Sequence, residues 1–235
     1  WWASLPEDLR AAFWGVDGEG EAAIREMLDG LDQLQLDGVR NLDPLRGLRV
    51  KRLINRQCKA SSLEIVATMP GLEELIWEKD QYLGGTRLVD LSPLAAATTL
   101  RVLKMPGHLF TNVDALASLV ELTELEVRGS PIESIEGVRA LRKLKALSVD
   151  AKTPLDLSPL EGLEALETLW LHGPVVSFEP IAKLRSLTGL WIQRCTLADG
   201  SPVPLAPLHG LSKLRQVYVG NDRATAAKKE LKSVL

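Results

Sequence analysis

The sequence predicts a solenoid of the α/β class, with a parallel β-sheet along one side and short helices or 3-10 turns along the other. The first observation is the hexamer LETLWL at residues 166–171, whose form L-x-x-L-x-L recurs along the chain. The second is a short, mostly proline-containing segment that recurs between copies of the hexamer. A fixed period of about 20–50 residues is typical of repeat architectures, in which each unit packs only on its neighbours.

The register of the hexamer defines nine units across residues 31–223. The nine units contain 27 core positions, of which 26 hold an apolar residue, Trp77 among them, and Asn55 is the exception. Successive side chains of a strand face opposite sides, so we predict that these positions point into the core. Most steps between units are 21 or 22 residues. The units begin at Leu31, Val50, Leu72, Leu100, Leu122, Leu144, Leu166, Leu187 and Leu214.

The proline-containing segment predicts the turn on the outer face of a unit. Proline has no N–H to leave unpaired and has a helical φ, so it suits the first position of a short helix. We expect a preceding Asp or Ser to cap that helix. The segments are LDPL at 42–45, LSPL at 91–94, LSPL at 157–160, FEPI at 178–181 and LAPL at 205–208, with VDAL at 113–116 as a variant without proline.

The two ends of the chain do not follow the repeat. We predict a helical N-terminal cap over residues 1–30 and a C-terminal cap helix over residues 224–235, because the open ends of a solenoid core need covers. Caps and repeats would form one continuous domain. Two longer steps place extra residues at 81–86 and 198–204. Insertions of this kind map to loops. Either these loops take part in binding, or they are sequence drift that the fold tolerates.

These features resemble the leucine-rich-repeat family, whose template is L-x-x-L-x-L-x-x-N/C-x-L. The resemblance covers nearly all of residues 31–221, and the 22-residue step is most similar to the internalin-like subclass. It implies a curved solenoid with the sheet on its concave face, and protein recognition as the usual function. The regular Asn of the ninth position is missing, so we expect less uniform turns. That position holds Cys58, Asp80, His108, Ser130, Lys152, Pro174, Cys195 and Asp222.

Composition excludes several classes of partner. The 28 basic and 31 acidic side chains nearly balance, whereas nucleic acid and anionic lipid favour strongly basic surfaces. No apolar run approaches the roughly 20 residues of a membrane span, and no signal peptide opens the chain. The two cysteines are too few for a disulfide-stapled scaffold, so we expect both to be reduced and the protein to be cytoplasmic. The oligomeric state stays open, with a monomer favoured. The first residue is not Met, so the question whether a segment precedes it stays open.

Motifs for catalysis are absent from the sequence. It contains no phosphate-binding loop, zinc-protease motif, C-x-x-C pair or serine elbow. His108, His172 and His209 fall in different units and at different positions, whereas a metal site needs convergent ligands. We therefore predict no enzyme activity, no cofactor and no metal within these residues.

The candidate site is the concave face near the C-terminal end. The fifth positions of the last three units hold Trp170, Trp191 and Tyr218. Parallel strands lie about 4.8 Å apart, so the three rings would form a row on the order of 10 Å long. Contiguous exposed apolar patches usually mark interaction sites, where Trp, Tyr and Arg dominate binding. The alternative is that the rings stack on each other, or lie under the C-terminal cap or the insertion at 198–204.

Polar and charged residues border this aromatic row. The middle of the face carries Lys104 and Glu124, which we interpret as solvated surface. The neighbouring pair Glu126 and Arg128 has the same interpretation but is kept as a candidate for binding. The candidate partner-binding residues are Trp170, Trp191, Tyr218, His172, Gln193, Arg194, Glu126 and Arg128.

Three functions are compatible with such a face. The first is a non-catalytic module that binds a protein partner, by analogy a bacterial regulatory or toxin-neutralising protein. The second is the recognition domain of a larger enzyme or effector. The third is a carbohydrate-binding surface, because sugars stack on aromatic rings.

Overall fold

The structure is a computed structural model that describes residues 28–29, 31–37, 39, 41–58, 60–79 and 88–220. The predicted N-terminal cap, the C-terminal cap helix and the loop at 81–86 lie outside these residues, apart from two residues of the first cap. Within the described residues, no helix is long and apolar enough to cross a membrane.

The nine predicted strands form a single parallel sheet in sequence order, which confirms the fold class. Every neighbouring pair of strands is also a consecutive pair in the chain, as a solenoid requires. The strands are β1 (Gln33–Asp37), β2 (Arg52–Cys58), β3 (Glu74–Lys79), β4 (Val102–Lys104), β5 (Glu124–Ile132), β6 (Ala146–Ala151), β7 (Thr168–His172), β8 (Gly189–Gln193) and β9 (Gln216–Gly220).

Strand register follows the hexamer in every pair of strands, and it shifts after the hexamer in β2, between Asn55 and Cys58, and in β5, between Val127 and Ile132. The fifth position of each unit lies opposite the fifth position of the next, without a slip. A shift by one residue would exchange the buried and exposed faces, so the leucine pattern determines this register. We call the side that carries the third, fifth and seventh positions of the units the sheet face.

The predicted core positions fill the interior. Almost all are below 5% exposed, and Trp77 is completely buried, as expected. Asn55, the polar exception, is also completely buried. The prediction that Leu31 is a core residue is wrong, because Leu31 is 39% exposed. It belongs to the first unit, at the end of the described sheet. The core positions of β9 are only partly buried, at the other end of that sheet.

Short 3-10 helices lie between the strands at the six predicted segments and at two further places, Val66–Thr68 and Glu136–Ala140. Consecutive helices pack on one another, as consecutive strands do. Proline stands at the start of the helices in the five segments that contain it. In the described part of the chain the helices are Asp43–Leu45, Val66–Thr68, Ser92–Ala96, Asp114–Ser118, Glu136–Ala140, Ser158–Gly162, Glu179–Lys183 and Ala206–Gly210.

The polar caps of these helices lie two residues before the predicted position. The N-cap is the leucine two positions before each proline, which makes no capping hydrogen bond with its side chain, and the polar residue directly before the proline is already the first residue of the helix. The residue two positions earlier in the chain accepts its backbone N–H instead: Asp90 Oδ1 lies 2.7 Å from the nitrogen of Ser92, and Asp156 Oδ1 lies 2.8 Å from that of Ser158. Asx-turns of this kind satisfy the backbone before a helix begins.

The ninth positions bond the backbone without an Asn ladder. His108 is buried, and its Nδ1 accepts the N–H of Leu88 at 3.2 Å. The Ser130 hydroxyl accepts the N–H of His108 at 3.2 Å. The thiol of Cys195 donates to the carbonyl of Leu171 at 3.4 Å. Three different side chains thus hydrogen-bond the backbone at this position, His108 and Ser130 as acceptors and Cys195 as a donor.

Candidate functional site

The fifth positions of the last three strands form the predicted row. Trp170 on β7 lies opposite Trp191 on β8, and Trp191 lies opposite Tyr218 on β9. The two Trp side chains are half-buried, and Tyr218 is 53% exposed. The repeat itself leaves this position free, because the core needs only the leucine positions. Together with the other sheet-face residues of β7–β9, these three rings form what we call the aromatic end.

Trp170 and Trp191 stack on each other. Their ring centroids are 6.2 Å apart, and the ring planes differ by 10°. This separation lies within the range of favourable offset stacking of aromatic rings. One alternative considered from the sequence, that the rings stack, therefore holds for this pair. Stacking covers the facing sides of the rings, yet both side chains keep part of their surface on the sheet face.

Gly189 makes room for the ring of Trp191. The two residues lie on the same face of β8, two positions apart, and a Cβ on Gly189 would lie 2.5 Å from Cζ3 of that ring. The indole therefore leans toward the amino end of its strand, over the glycine. A glycine two residues before an outward Trp is the sequence signal for this arrangement, and any larger residue would displace the ring.

Arg128 covers the other side of Trp170. Its Cζ lies 4.9 Å from the centroid of the Trp170 ring, within the range of cation–π attraction. Arg128 reaches across β6 from β5, whereas Trp191 approaches from β8, so the Trp170 ring is held between the two. The small side chain of Ser148 on β6, opposite Trp170, leaves space for this reach.

Glu126 orients the guanidinium of Arg128. Its Oε1 accepts hydrogen bonds from Nη2 at 2.7 Å and from Nε at 3.1 Å. The carboxylate, the guanidinium and the two indoles therefore form one continuous chain of contacts over four strands. The sequence placed Glu126 and Arg128 in a solvated middle of the face, and the structure connects them to the aromatic residues instead.

Tyr218 departs from the row. A Cβ on Gly220 would lie 2.8 Å from Cε1 of Tyr218, so this ring leans toward the carboxyl end of β9. Trp191 leans the opposite way, over Gly189. The expected row of three rings is therefore a stacked pair with a separate third ring. Backbone register alone could not show this difference, because it depends on which neighbour of each ring is a glycine.

The polar candidates lie at the carboxyl edge of the same strands. His172 is opposite Gln193 in the sheet, and Gln193 is exposed. Arg194 is exposed as well, and its backbone N–H donates to the carbonyl of Gly220 at 2.9 Å. These residues lie at the carboxyl ends of their strands, whereas the Trp191 ring leans toward the amino end of β8.

The insertion at 198–204 has an internal structure of its own. The N–H of Leu197 donates to the carbonyl of Ser201 at 2.8 Å, and Thr196 forms an antiparallel bridge with Pro202. Val203 packs into the hydrophobic core. The insertion is thus a compact turn that is tied to the core at one point.

The sheet face on β2–β5, which we call the charged half, has a different character. Its third, fifth and seventh positions carry four basic and four acidic side chains. Lys104 Nζ lies 2.7 Å from Glu124 Oε1, and Arg52 Nη2 lies 2.7 Å from Glu74 Oε1. The hydrogen bond from Arg52 lowers the pKa of Glu74 below its ordinary value. Much of this charge is therefore neutralised within the chain.

No candidate metal centre occurs among the described residues, since no three His, Cys, Asp or Glu side chains converge there. Cys195 is a buried free thiol. Burial raises the pKa of the Cys195 thiol to about 12, so the reactive thiolate is scarce at neutral pH. This cysteine has a structural role, because its thiol hydrogen-bonds the backbone at the turn of its repeat.

Solved structures with the same fold include two internalins from Listeria monocytogenes. Internalin C2 is 22% identical with a TM-score of 0.68, and the match covers 83% of each chain. The internalin InlF is 19% identical with a TM-score of 0.64, covering 80% of this chain and 55% of that one. The plant peptide hormone receptor RGFR1, in complex with RGF2, is 18% identical with a TM-score of 0.55, covering 72% and 28%.

These likenesses confirm a leucine-rich-repeat fold that is internalin-like. No protein-family model matches the sequence, and a comparison with curated proteins finds no match either. The chain spans about half of the InlF chain, 55%, and a smaller part of the receptor.

Proposed function

We propose that this leucine-rich-repeat chain is a non-catalytic module whose protein partner docks on the aromatic end of the sheet face. The observation that carries the proposal is the chain of contacts from Glu126 through Arg128 and Trp170 to Trp191. The fold does not need two stacked indoles on a solvent-facing sheet, because the core is complete without them.

The arrangement supports tight binding because it is organised in advance. Trp170 is held between Arg128 and Trp191, and Trp191 lies over Gly189. Ordering a side chain at an interface costs free energy, and a ring that is already fixed avoids much of that cost. Trp and Arg are also the residues that most often dominate binding energy at protein interfaces.

The stacking favours a protein partner over a sugar. A sugar ring would need an open aromatic face, and both faces of Trp170 are in contact with other side chains. A protein loop needs only the exposed edges of the rings and the polar groups around them. The receptor of the same fold that is in complex with RGF2 is a further support for a polypeptide ligand. A recognition domain of a larger enzyme would use the same surface in the same way.

A pull-down from source lysate tests the proposal. The wild-type chain is compared with a Trp170→Ala/Trp191→Ala variant, and circular dichroism establishes that the variant is folded. We expect the variant to lose a partner that the wild type retains, with affinity reduced by about 30-fold or more once that partner is purified. The matched control is Lys104→Ala/Glu124→Ala, which removes an ion pair from the charged half and leaves the net charge unchanged.

Two results would contradict the proposal. If the folded tryptophan variant retains every partner, the aromatic end is not the docking surface. If titration with sugars changes the tryptophan fluorescence of the wild type but not of the variant, the ligand is a carbohydrate.

A further inference from the structure

The eighth position of the repeat has a left-handed backbone in four of the described units. Gly107, Gly129 and Gly173 occupy it with φ of 80°, 72° and 94°. In the unit of β8 the same position holds Arg194, with φ of 52°. Glycine adopts this conformation freely, whereas a side chain crowds the following carbonyl. The chain therefore uses glycine at this turn and departs from it at one place.

Arg194 is the only non-glycine residue with a positive φ in the described part of the chain. Strained residues of this kind concentrate at functional sites, where the rest of the fold holds them in place. The departure occurs at the carboxyl edge of the aromatic end. Arg194 bonds Gly220 only through its backbone among the contacts described, so glycine could make the same bond. Relative to glycine, arginine at this position adds only its side chain.

The charge around Arg194 is unbalanced. Its side chain is exposed, and no acidic side chain pairs with it among the described residues. Arg128, at the other side of the rings, is paired with Glu126. The third, fifth and seventh positions of β7–β9 contain no carboxylate. Within the described residues, a protein with a net charge of −3 thus has a strip of sheet face without carboxylates and, at the edge of that strip, an arginine that no acidic side chain pairs with.

We propose that Arg194 binds a carboxylate of the partner, so that the aromatic end selects an acidic polypeptide segment. The proposal rests on the proposed function and adds the chemistry of the partner to it. The guanidinium presents a fork of N–H donors that matches a carboxylate in two parallel hydrogen bonds. The indole edges would contact apolar atoms of the same segment.

The first test measures stability without any partner. Arg194→Gly removes the crowded side chain from a left-handed backbone, so we expect Tm to rise by about 1–4 °C. The matched control is Arg185→Gly, which removes one exposed positive charge from a turn with an ordinary φ and should not raise Tm. A fall in Tm for Arg194→Gly would show that the Arg194 side chain stabilises the fold through contacts within the chain, and this result would overturn the proposal.

The second test selects peptides from a random phage-displayed dodecamer library. Selections are run in parallel on the wild type, Arg194→Gly, Arg194→Lys and Arg185→Gly. We expect Asp and Glu to be enriched at least about threefold among peptides selected on the wild type and on Arg185→Gly, to a smaller extent on Arg194→Lys, and not on Arg194→Gly. Synthetic copies of the best peptides should bind Arg194→Gly about tenfold more weakly than the wild type.

The outcomes separate this inference from the proposed function. If selected peptides depend on Trp170 and Trp191 but show no acidic bias, the proposed function stands and the role of Arg194 is wrong. If peptide binding is unaffected by Trp170→Ala/Trp191→Ala, the proposed function fails first.

Discussion

The charged half and the aromatic end have the same backbone arrangement but carry side chains of different chemistry. In the charged half, side chains at the third and fifth positions pair across strands, as Lys104 does with Glu124. At the aromatic end, the fifth positions hold a stacked pair of indoles, and Gly189 at a third position makes room for one of them. Charges that are already paired have little left for a partner, whereas exposed ring edges have no other partner. This difference is the physical reason for which we propose the aromatic end as the binding surface.

The charged half and the aromatic end share one hydrophobic core. We expect the largest loss of stability from a substitution in that core at β6, which lies between them. Leu147 is buried in β6, where the charged half meets the aromatic end. We expect Leu147→Ala to lower the free energy of unfolding by about 2–5 kcal/mol, through lost burial and a cavity. The matched control is Ser148→Ala, the next residue, which faces the other way and should change stability by less than about 0.5 kcal/mol. Chemical denaturation measures both, and equal effects would refute the register.

A smaller effect is expected from a single methyl group at the aromatic end. Gly189→Ala places a Cβ where the Trp191 ring lies, so the ring must move and the stacking with Trp170 is lost. Such stacking contributes about 0.5–1.5 kcal/mol. We expect a loss of near-UV circular dichroism from the indole pair and a comparable loss of stability. Gly210→Ala is the control, since its Cβ meets no atom within 4 Å; an unchanged near-UV spectrum for Gly189→Ala would contradict the described ring position.

The smallest effect is expected in the charged half. A double-mutant cycle on Lys104 and Glu124 should give a coupling free energy below about 1 kcal/mol, because both side chains are partly exposed and water screens their attraction. The measured coupling should decrease further in high salt. A coupling of several kcal/mol would mean that this pair organises the sheet, and that the two ends differ less than their chemistry indicates.

The sequence was sufficient for the strands and their register and insufficient for the side chains on the sheet face. Leucine spacing determined nine strands and their register, because each core position has only one direction in which it can be buried. The alignment of Trp170, Trp191 and Tyr218 on neighbouring strands followed from that register. The direction of each ring did not, because it depends on glycines at different offsets. The contact between Arg128 and Trp170 also crosses a whole strand, which no repeat template encodes.

The central claim is that binding belongs to the aromatic end, and one affinity comparison tests it most directly. A purified partner is titrated against the wild type, Trp170→Ala/Trp191→Ala and Lys104→Ala/Glu124→Ala by calorimetry. The account predicts that the first variant loses about 30-fold or more in affinity, while the second stays within about threefold of the wild type. A partner that tolerates the loss of both tryptophans but not the loss of the ion pair would contradict it.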